Sequence, residues 1–205
     1  ADADARIPKI HDSMRAYAQS VLTTSIHGFV LTARTTRSGC RKGLMLAVDL
    51  EQYDYAPGSV SRVRATEGTI LSRIPPRMKV RQDALLECPH IMLLLNDKER
   101  TLIEPLYEKL RSTPPLYDAE LLQDCGHLTG WAVQAQEDLE AVSNALIALD
   151  ETRQDAPLFA VGDGNHSLAS ARAAWLALKA TLSPAQAAVH PARWALCEVV
   201  NLYDD

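Results

Sequence analysis

Ile7, Ile10, Met14, Tyr17 and Val21 recur three or four residues apart, the spacing that stacks apolar side chains along one stripe, and predict an amphipathic helix over residues 5–22. The pattern then changes period. Residues 27–34 and 43–50 are apolar, β-leaning runs joined by the turn-rich Arg37-Ser38-Gly39-Cys40-Arg41-Lys42, and read as a β-hairpin. Residues 51–90 contain Pro57-Gly58, Gly68 and Pro75-Pro76 and sustain no period, so they read as loops and short helical turns laid over a scaffold. Long ordered loops of this kind tend to hold function.

Beyond them the pattern alternates. A strand is predicted at 91–95, then a helix near 99–111 with Leu102, Leu106 and Leu110 on one face, then strands near 116–122 and 128–134. Leu139, Val142, Leu146 and Leu149 mark a second helix, and residues 158–161 a short buried strand. The loop Gly162-Asp163-Gly164-Asn165-His166 follows, and Leu168, Ala171, Trp175 and Leu178 mark another helix before a last strand at 193–203. Strands and helices mixed without a clean βαβ repeat predict an α+β fold, a mixed sheet with flanking helices. No internal repeat, low-complexity tract or change of composition divides the chain, so residues 1–205 read as one domain.

Composition narrows the class. With 205 residues, 47% hydrophobic and 23% charged, the chain is neither disordered nor fibrous. At this length it hides roughly 70% of the surface its unfolded form exposes, enough for a core without metals or disulfides. Lysine plus arginine number 21 against 26 acids, a net charge of −5, which argues against a surface that wraps nucleic acid or anionic lipid. Any anion site must be local. No apolar run approaches the ~20 residues of a membrane span. Residues 1–6 show no apolar signal core and no initiator methionine, so the chain reads as a cytoplasmic protein seen as a processed, tagged or truncated piece. Cys40, Cys88, Cys125 and Cys197 are spread evenly and read as reduced.

Two segments carry candidate chemistry. In Phe159-Ala160-Val161-Gly162-Asp163-Gly164-Asn165-His166-Ser167 a strand, a glycine-bracketed turn and a helix start succeed one another. Free N–H groups and the positive dipole end at a helix start form an anion seat, and glycines let phosphate approach the backbone. Asp163 is then a candidate magnesium ligand or hydroxyl-orienting group, and Asn165 and His166 candidate donors to phosphoryl oxygens. The competing reading is a tight turn with Asn165 or Ser167 as the helix cap and His166 simply exposed.

The second segment, residues 59–82, carries Arg62, Arg64, Arg73, Arg77, Lys79 and Arg81 against only Glu67. Arginine forks suit phosphate, and a rigid Pro75-Pro76 fixes Arg73 relative to Arg77. Glu67 is a candidate general base. The joint expectation is that this segment folds against the glycine turn; the competing reading is a solvated charged face.

Cys88-Pro89-His90 and Cys125-Gly126-His127 repeat a Cys-x-His pair, but zinc sites favour Cys-x2-Cys and His-x3-His spacings. Trp131, Trp175 and Trp194 fall inside elements and read as core, and Cys197 as a small hydrophobe in a strand.

Val48-Asp49-Leu50-Glu51-Gln52-Tyr53-Asp54, Arg64-Ala65-Thr66-Glu67-Gly68-Thr69, Arg73-Ile74-Pro75-Pro76-Arg77, Pro89-His90 and 161–169 together resemble one bacterial family. It is the domain-of-unknown-function family numbered one thousand and fifteen, distantly similar to the free serine kinase, ParB and sulfiredoxin group. In the free serine kinases an Asp-Gly-His-His-Arg turn at a helix start binds the donor's phosphates. That resemblance implies that Asp163, Gly164, Asn165 and His166 form a phosphate seat, and the expectation is that phosphate binds at the turn from Gly162 to Ser167. Asn165 stands where that group has its first histidine and Ser167 where it has arginine, which leaves the phosphate charge to Arg64, Arg73 or Arg77. The resemblance also implies family sequence beyond both ends of the chain. The function it implies is phosphoryl transfer from ATP, ADP or pyrophosphate, with Mg2+, to a small hydroxyl substrate, free L-serine foremost. A non-catalytic nucleotide-sensing or partner-binding module is the alternative. The sequence does not set the oligomeric state.

Overall fold

The computed structural model describes residues 4–87 and 89–204. A short 3-10 turn leads into α1 (Ile7–Ser20), and β1 (Phe29–Thr36) and β2 (Gly39–Asp49) form the expected hairpin, longer than its apolar runs. The pairing continues to Thr36 opposite Gly39, so only Arg37 and Ser38 turn the chain. Polar residues such as Arg34 and Arg41 pair here as readily as apolar ones, which a search for apolar runs does not reveal.

The stretch 51–90 holds two short strands, β3 (Tyr53–Asp54) and β4 (Val63–Ala65), and a helix, α2 (Ile74–Arg81). Pro75 and Pro76 sit in the first turn of α2, where the missing N–H costs nothing, so they start a helix instead of forming a rigid spacer. There follow β5 (Met92–Leu95), α3 (Ile103–Leu110), β6 (Tyr117–Glu120), β7 (His127–Val133), α4 (Gln136–Thr152), β8 (Phe159–Asp163), α5 (Asn165–Lys179), α6 (Pro184–Val189) and β9 (Trp194–Asn201). The sequence reading lacks α6, a helix too short for periodicity; its mark is the box in which Ser183 Oγ accepts from the Gln186 N–H while the Gln186 side chain accepts from Ser183. Among the described residues no helix is long and apolar enough to cross a membrane.

All nine strands form one mixed sheet in the order β3-β4-β8-β5-β9-β2-β1-β7-β6. β3, β4 and β8 run parallel, as do β5 and β9; the other pairs are antiparallel. The protein is thus α+β, with a mixed sheet and flanking helices. Register decides which face is covered. Leu31, Leu44, Leu46, Leu93, Phe159, Val161, Cys197 and Val199 share one face and are buried with Ile103, Leu106, Val142, Leu168 and Trp175 of the helices. Burial pushes the Cys197 thiol up to about 12, so it behaves as an apolar group. The other face is open at one end, where Leu196 and Trp194 remain 43% and 41% exposed, and buries Thr32, Glu198 and Val200 further along. Trp194, read from sequence as core, instead lies with the Arg193 guanidinium 5.5 Å from its ring. α1 keeps its apolar stripe but buries none of it, with Ile10 and Tyr17 exposed; its tie to the body is His11 Nε2 donating to the Val80 carbonyl at 2.9 Å.

At the far edge, His127 of β7 holds β6 through Asp118 (2.6 Å) and Glu120 (2.9 Å), while the Thr129 hydroxyl donates to Asp118. The bonds to Asp118 and then Glu120 raise the His127 pKa above the usual 6.5, and the bond from His127 holds Asp118 below the usual carboxylate range. A raised histidine contributes fully below its unfolded value and loses that contribution as pH climbs through the folded one. Asp118 loses its share only in acid. Amide exchange in β6 is therefore expected to speed up beyond its intrinsic pH slope as pH rises above the unfolded histidine value of about 6.5. His127→Gln removes that extra rise, and an unchanged pH dependence in the variant would refute the tie.

Candidate functional site

Parallel pairing of Val63 with Phe159 and Ala65 with Val161 brings the C-terminal ends of β4 and β8 side by side. Beyond β8 the chain turns at Gly164, whose φ of 83° is left-handed, and α5 begins at once. A Cβ on Gly164 would lie 3.0 Å from Ile91 Cα and 3.1 Å from the His90 carbonyl oxygen, so the turn is seated directly on the backbone before β5. The helix start has no side-chain cap. The Gly164 N–H bonds Asp163 Oδ1 (2.7 Å), and the first helical bond runs from the Leu168 N–H to the Gly164 carbonyl. The N–H groups of residues 165–167 precede that bond and have no helical acceptor, the arrangement with which a helix start can hold an anion.

The loop after β4 is tied over this turn at three points. The Thr66 hydroxyl donates to the Val161 carbonyl (2.6 Å), the Asn165 amide nitrogen donates to Thr69 Oγ1 (2.8 Å), and the Ile70 N–H donates to His166 Nε2 (3.0 Å). Since Nε2 accepts, the neutral ring carries its proton on Nδ1, which is left to donate. Tyr53 closes the network from β3, its hydroxyl donating to Asn165 Oδ1 at 2.5 Å. Burial, reinforced by neighbouring Tyr55, holds that phenol above its usual range, so it stays a donor.

The candidate residues separate by position. Gly162, Asp163, His166 and Ser167 lie at or beside the open helix start. The Asn165 side chain is buried and its amide occupied by Tyr53 and Thr69, so it braces the turn and does not face a ligand. Glu67 is exposed in the loop beside the turn. Arg77 shares with Ser167 and Ser170 the wall of a largely apolar cavity of about 450 Å³, which Met14, Val80 and Leu86 also line. Arg73 is the residue before α2, its carbonyl accepting from Arg77 Nη1 at 3.1 Å. The loop after β4 is thus tied to the turn through Thr66, Thr69 and Ile70, while the Arg77 guanidinium bonds back to its own helix. Arg64, however, is not brought to the turn: its guanidinium donates to the carbonyls of Ser61 and Asp155, both 2.7 Å, at the opposite ends of β4 and β8. Alternation along a strand and the length of the arginine stem allow either direction, and two free carbonyls decide it. Arg81 in the same cavity pairs with Glu87, and burial lowers its pKa to about 10.

The open sheet face holds a cluster that the sequence reading lacks. Glu198, in mid-β9 and 3% exposed, accepts from the Thr32 hydroxyl (2.9 Å), Arg41 Nη2 (3.0 Å) and His90 Nε2 (2.5 Å). A Cβ on Gly43 would come within 2.3 Å of Glu198 Oε1, so the glycine makes room for the carboxylate. The Arg41 Nε is buried without an acceptor among the described residues. His90 belongs to this cluster through its side chain and to the turn through its carbonyl. The sequence signal for Glu198 is a single acid inside the otherwise apolar run 195–200. His90 and His127 are thus both engaged by carboxylates, and among the described residues no three His, Cys, Asp or Glu side chains converge to hold a metal. Cys88 lies outside the described residues. Asp163 has one carboxylate oxygen beyond its bond to Gly164, which fits magnesium only as a single ligand beside phosphate and water.

A family model described as a protein of unknown function, DUF1015, matches residues 1–205. No curated protein and no solved structure matches the chain.

Proposed function

The chain belongs to the DUF1015 family, and from that premise we propose that it is a phosphotransferase that seats a donor's phosphates at the start of α5 and passes a phosphoryl group to a small hydroxyl substrate. The observation that carries this reading is the uncapped helix start behind a left-handed glycine, with His166 Nδ1 free to donate and Arg77 on the wall beside it. Backbone donors cost no reorganisation as charge builds on the transferring group, and phosphoryl transfer is mainly positioning and charge neutralisation. The donor is ATP, ADP or pyrophosphate, and free L-serine the first acceptor to try. Asp163 would hold magnesium beside the donor, and the ion would supply neutralisation of the phosphate oxygens. Glu67 and Asp163 stand at the rim as carboxylates able to orient the acceptor.

The test is incubation of the chain with each donor and a panel of amino acids and other small hydroxyl compounds, read by mass spectrometry. The expected result is a phosphorylated acceptor formed only when donor, acceptor and protein are all present. Donor binding by calorimetry without product marks a sensing module, and neither binding nor product overturns the reading.

A further inference from the structure

Three features of the cluster around Glu198 are unusual for a structural feature. A carboxylate in the middle of a strand is costly to bury, and it is held here by three donors on the sheet face opposite the main core. One of those donors, His90, is itself 51% exposed, so the cluster fixes a ring that meets solvent. Its carbonyl abuts Gly164, which places the residue beside the turn that opens α5, while its ring is held by Glu198. Register gives the same neighbourhood independently: Met92 pairs with Glu198 on one side and with Asp163 on the other.

Resting on the phosphotransferase reading, we propose that His90, oriented by Glu198, is the general base that takes the proton of the acceptor hydroxyl. Nε2–H donates to Glu198 Oε2, which fixes the tautomer and leaves the Nδ1 lone pair open. The acceptor's O–H proton passes to Nδ1 and its oxygen forms the new bond to phosphorus. The bond from phosphorus to the donor's bridging oxygen breaks, and the leaving phosphate takes that electron pair. Glu198 steadies the imidazolium that forms, and Arg41 and Thr32 hold the carboxylate in place. Glu67, exposed and untied, has no such orientation.

The experiment compares the parent chain with His90→Gln, His90→Gly, Glu198→Gln and Glu67→Gln. Pyrophosphate and ATP binding are measured by calorimetry, and kcat and acceptor KM by product mass. His90→Gln is expected to lower kcat about 10²- to 10⁴-fold, with acceptor KM and donor affinity within about threefold of the parent. Glu198→Gln gives a smaller fall, and free imidazole restores part of the rate to His90→Gly but none to Glu198→Gln. A thermal midpoint for each variant separates loss of fold from loss of chemistry. A His90→Gln enzyme within a few-fold of parental kcat overturns this inference alone, most plainly if Glu67→Gln is the variant that loses turnover. A parent chain that forms no product from any donor overturns the phosphotransferase reading, and this inference with it.

Discussion

Gly164→Val is expected to abolish pyrophosphate binding at the α5 start and to lower the thermal midpoint by roughly 5–15 °C. The two effects share one cause. Gly164 has a φ of 83°, and a side chain there costs about 1–2 kcal/mol, more when β-branched. The new Cβ also meets Ile91 Cα at 3.0 Å and the His90 carbonyl at 3.1 Å, backbone atoms that have no rotamer to move into. Overpacking of this kind adds about 1–3 kcal/mol, and each kcal/mol shifts the midpoint of a chain this size by about 2–4 °C. Gly68→Val is the control: a Cβ there meets nothing within 4 Å, so its midpoint should hold within about 1 °C. Differential scanning calorimetry of both variants checks the geometry, and isothermal titration with pyrophosphate checks the seat. An unshifted midpoint for Gly164→Val would contradict the packing against His90 and Ile91.

Gly43→Val should be as damaging, through a different route. Its Cβ would stand 2.3 Å from Glu198 Oε1 and 2.7 Å from Glu198 Cγ, so the carboxylate must leave its place. Glu198 is fixed by Thr32, Arg41 and His90, and its expulsion leaves the Arg41 guanidinium without its carboxylate and the Thr32 hydroxyl with only the Gly43 carbonyl. Breaking a buried, hydrogen-bonded charge costs about 3–5 kcal/mol, or roughly 6–20 °C in midpoint. A double-mutant cycle isolates the cause, because in a Glu198→Gly background the valine has nothing to displace and most of its cost should vanish. Additive losses in that cycle would show that the valine acts elsewhere.

These two glycines mark where the sequence was legible and where it was not. Gly164 is visible in one dimension: a buried strand, two glycines and a helical period follow one another within a dozen residues, and local backbone rules are enough to place a turn and a helix start there. Gly43 carries no such signal. It sits inside a strand whose alternation it does not interrupt, and its role depends on Glu198, 155 residues away, being carried to the adjacent strand by the pairing of Met45 with Glu198.

Short-range physics therefore determined the α+β class, the helices at 3.6-residue spacing, the hairpin and the open start of α5, since each rests on hydrogen bonds and side-chain spacing within a few residues. It read the stretch 51–90 as loops and short helical turns and missed its strands, because β3 and β4 are too short to show a period and exist only by pairing beside β8. It read the arginines as a group, whereas two carbonyls draw Arg64 to the far ends of β4 and β8 while α2 leaves Arg77 on the cavity wall with Ser167. Tertiary structure alone decided which sheet face the helices cover, and so which residues stay open. Register across nine strands joins His90, Glu198, Arg41 and Thr32, residues dispersed from 32 to 198, into one hydrogen-bonded group beside the glycine turn. A local pattern cannot encode such a meeting, because its energy comes from contacts whose partners are named only once the chain has closed on itself.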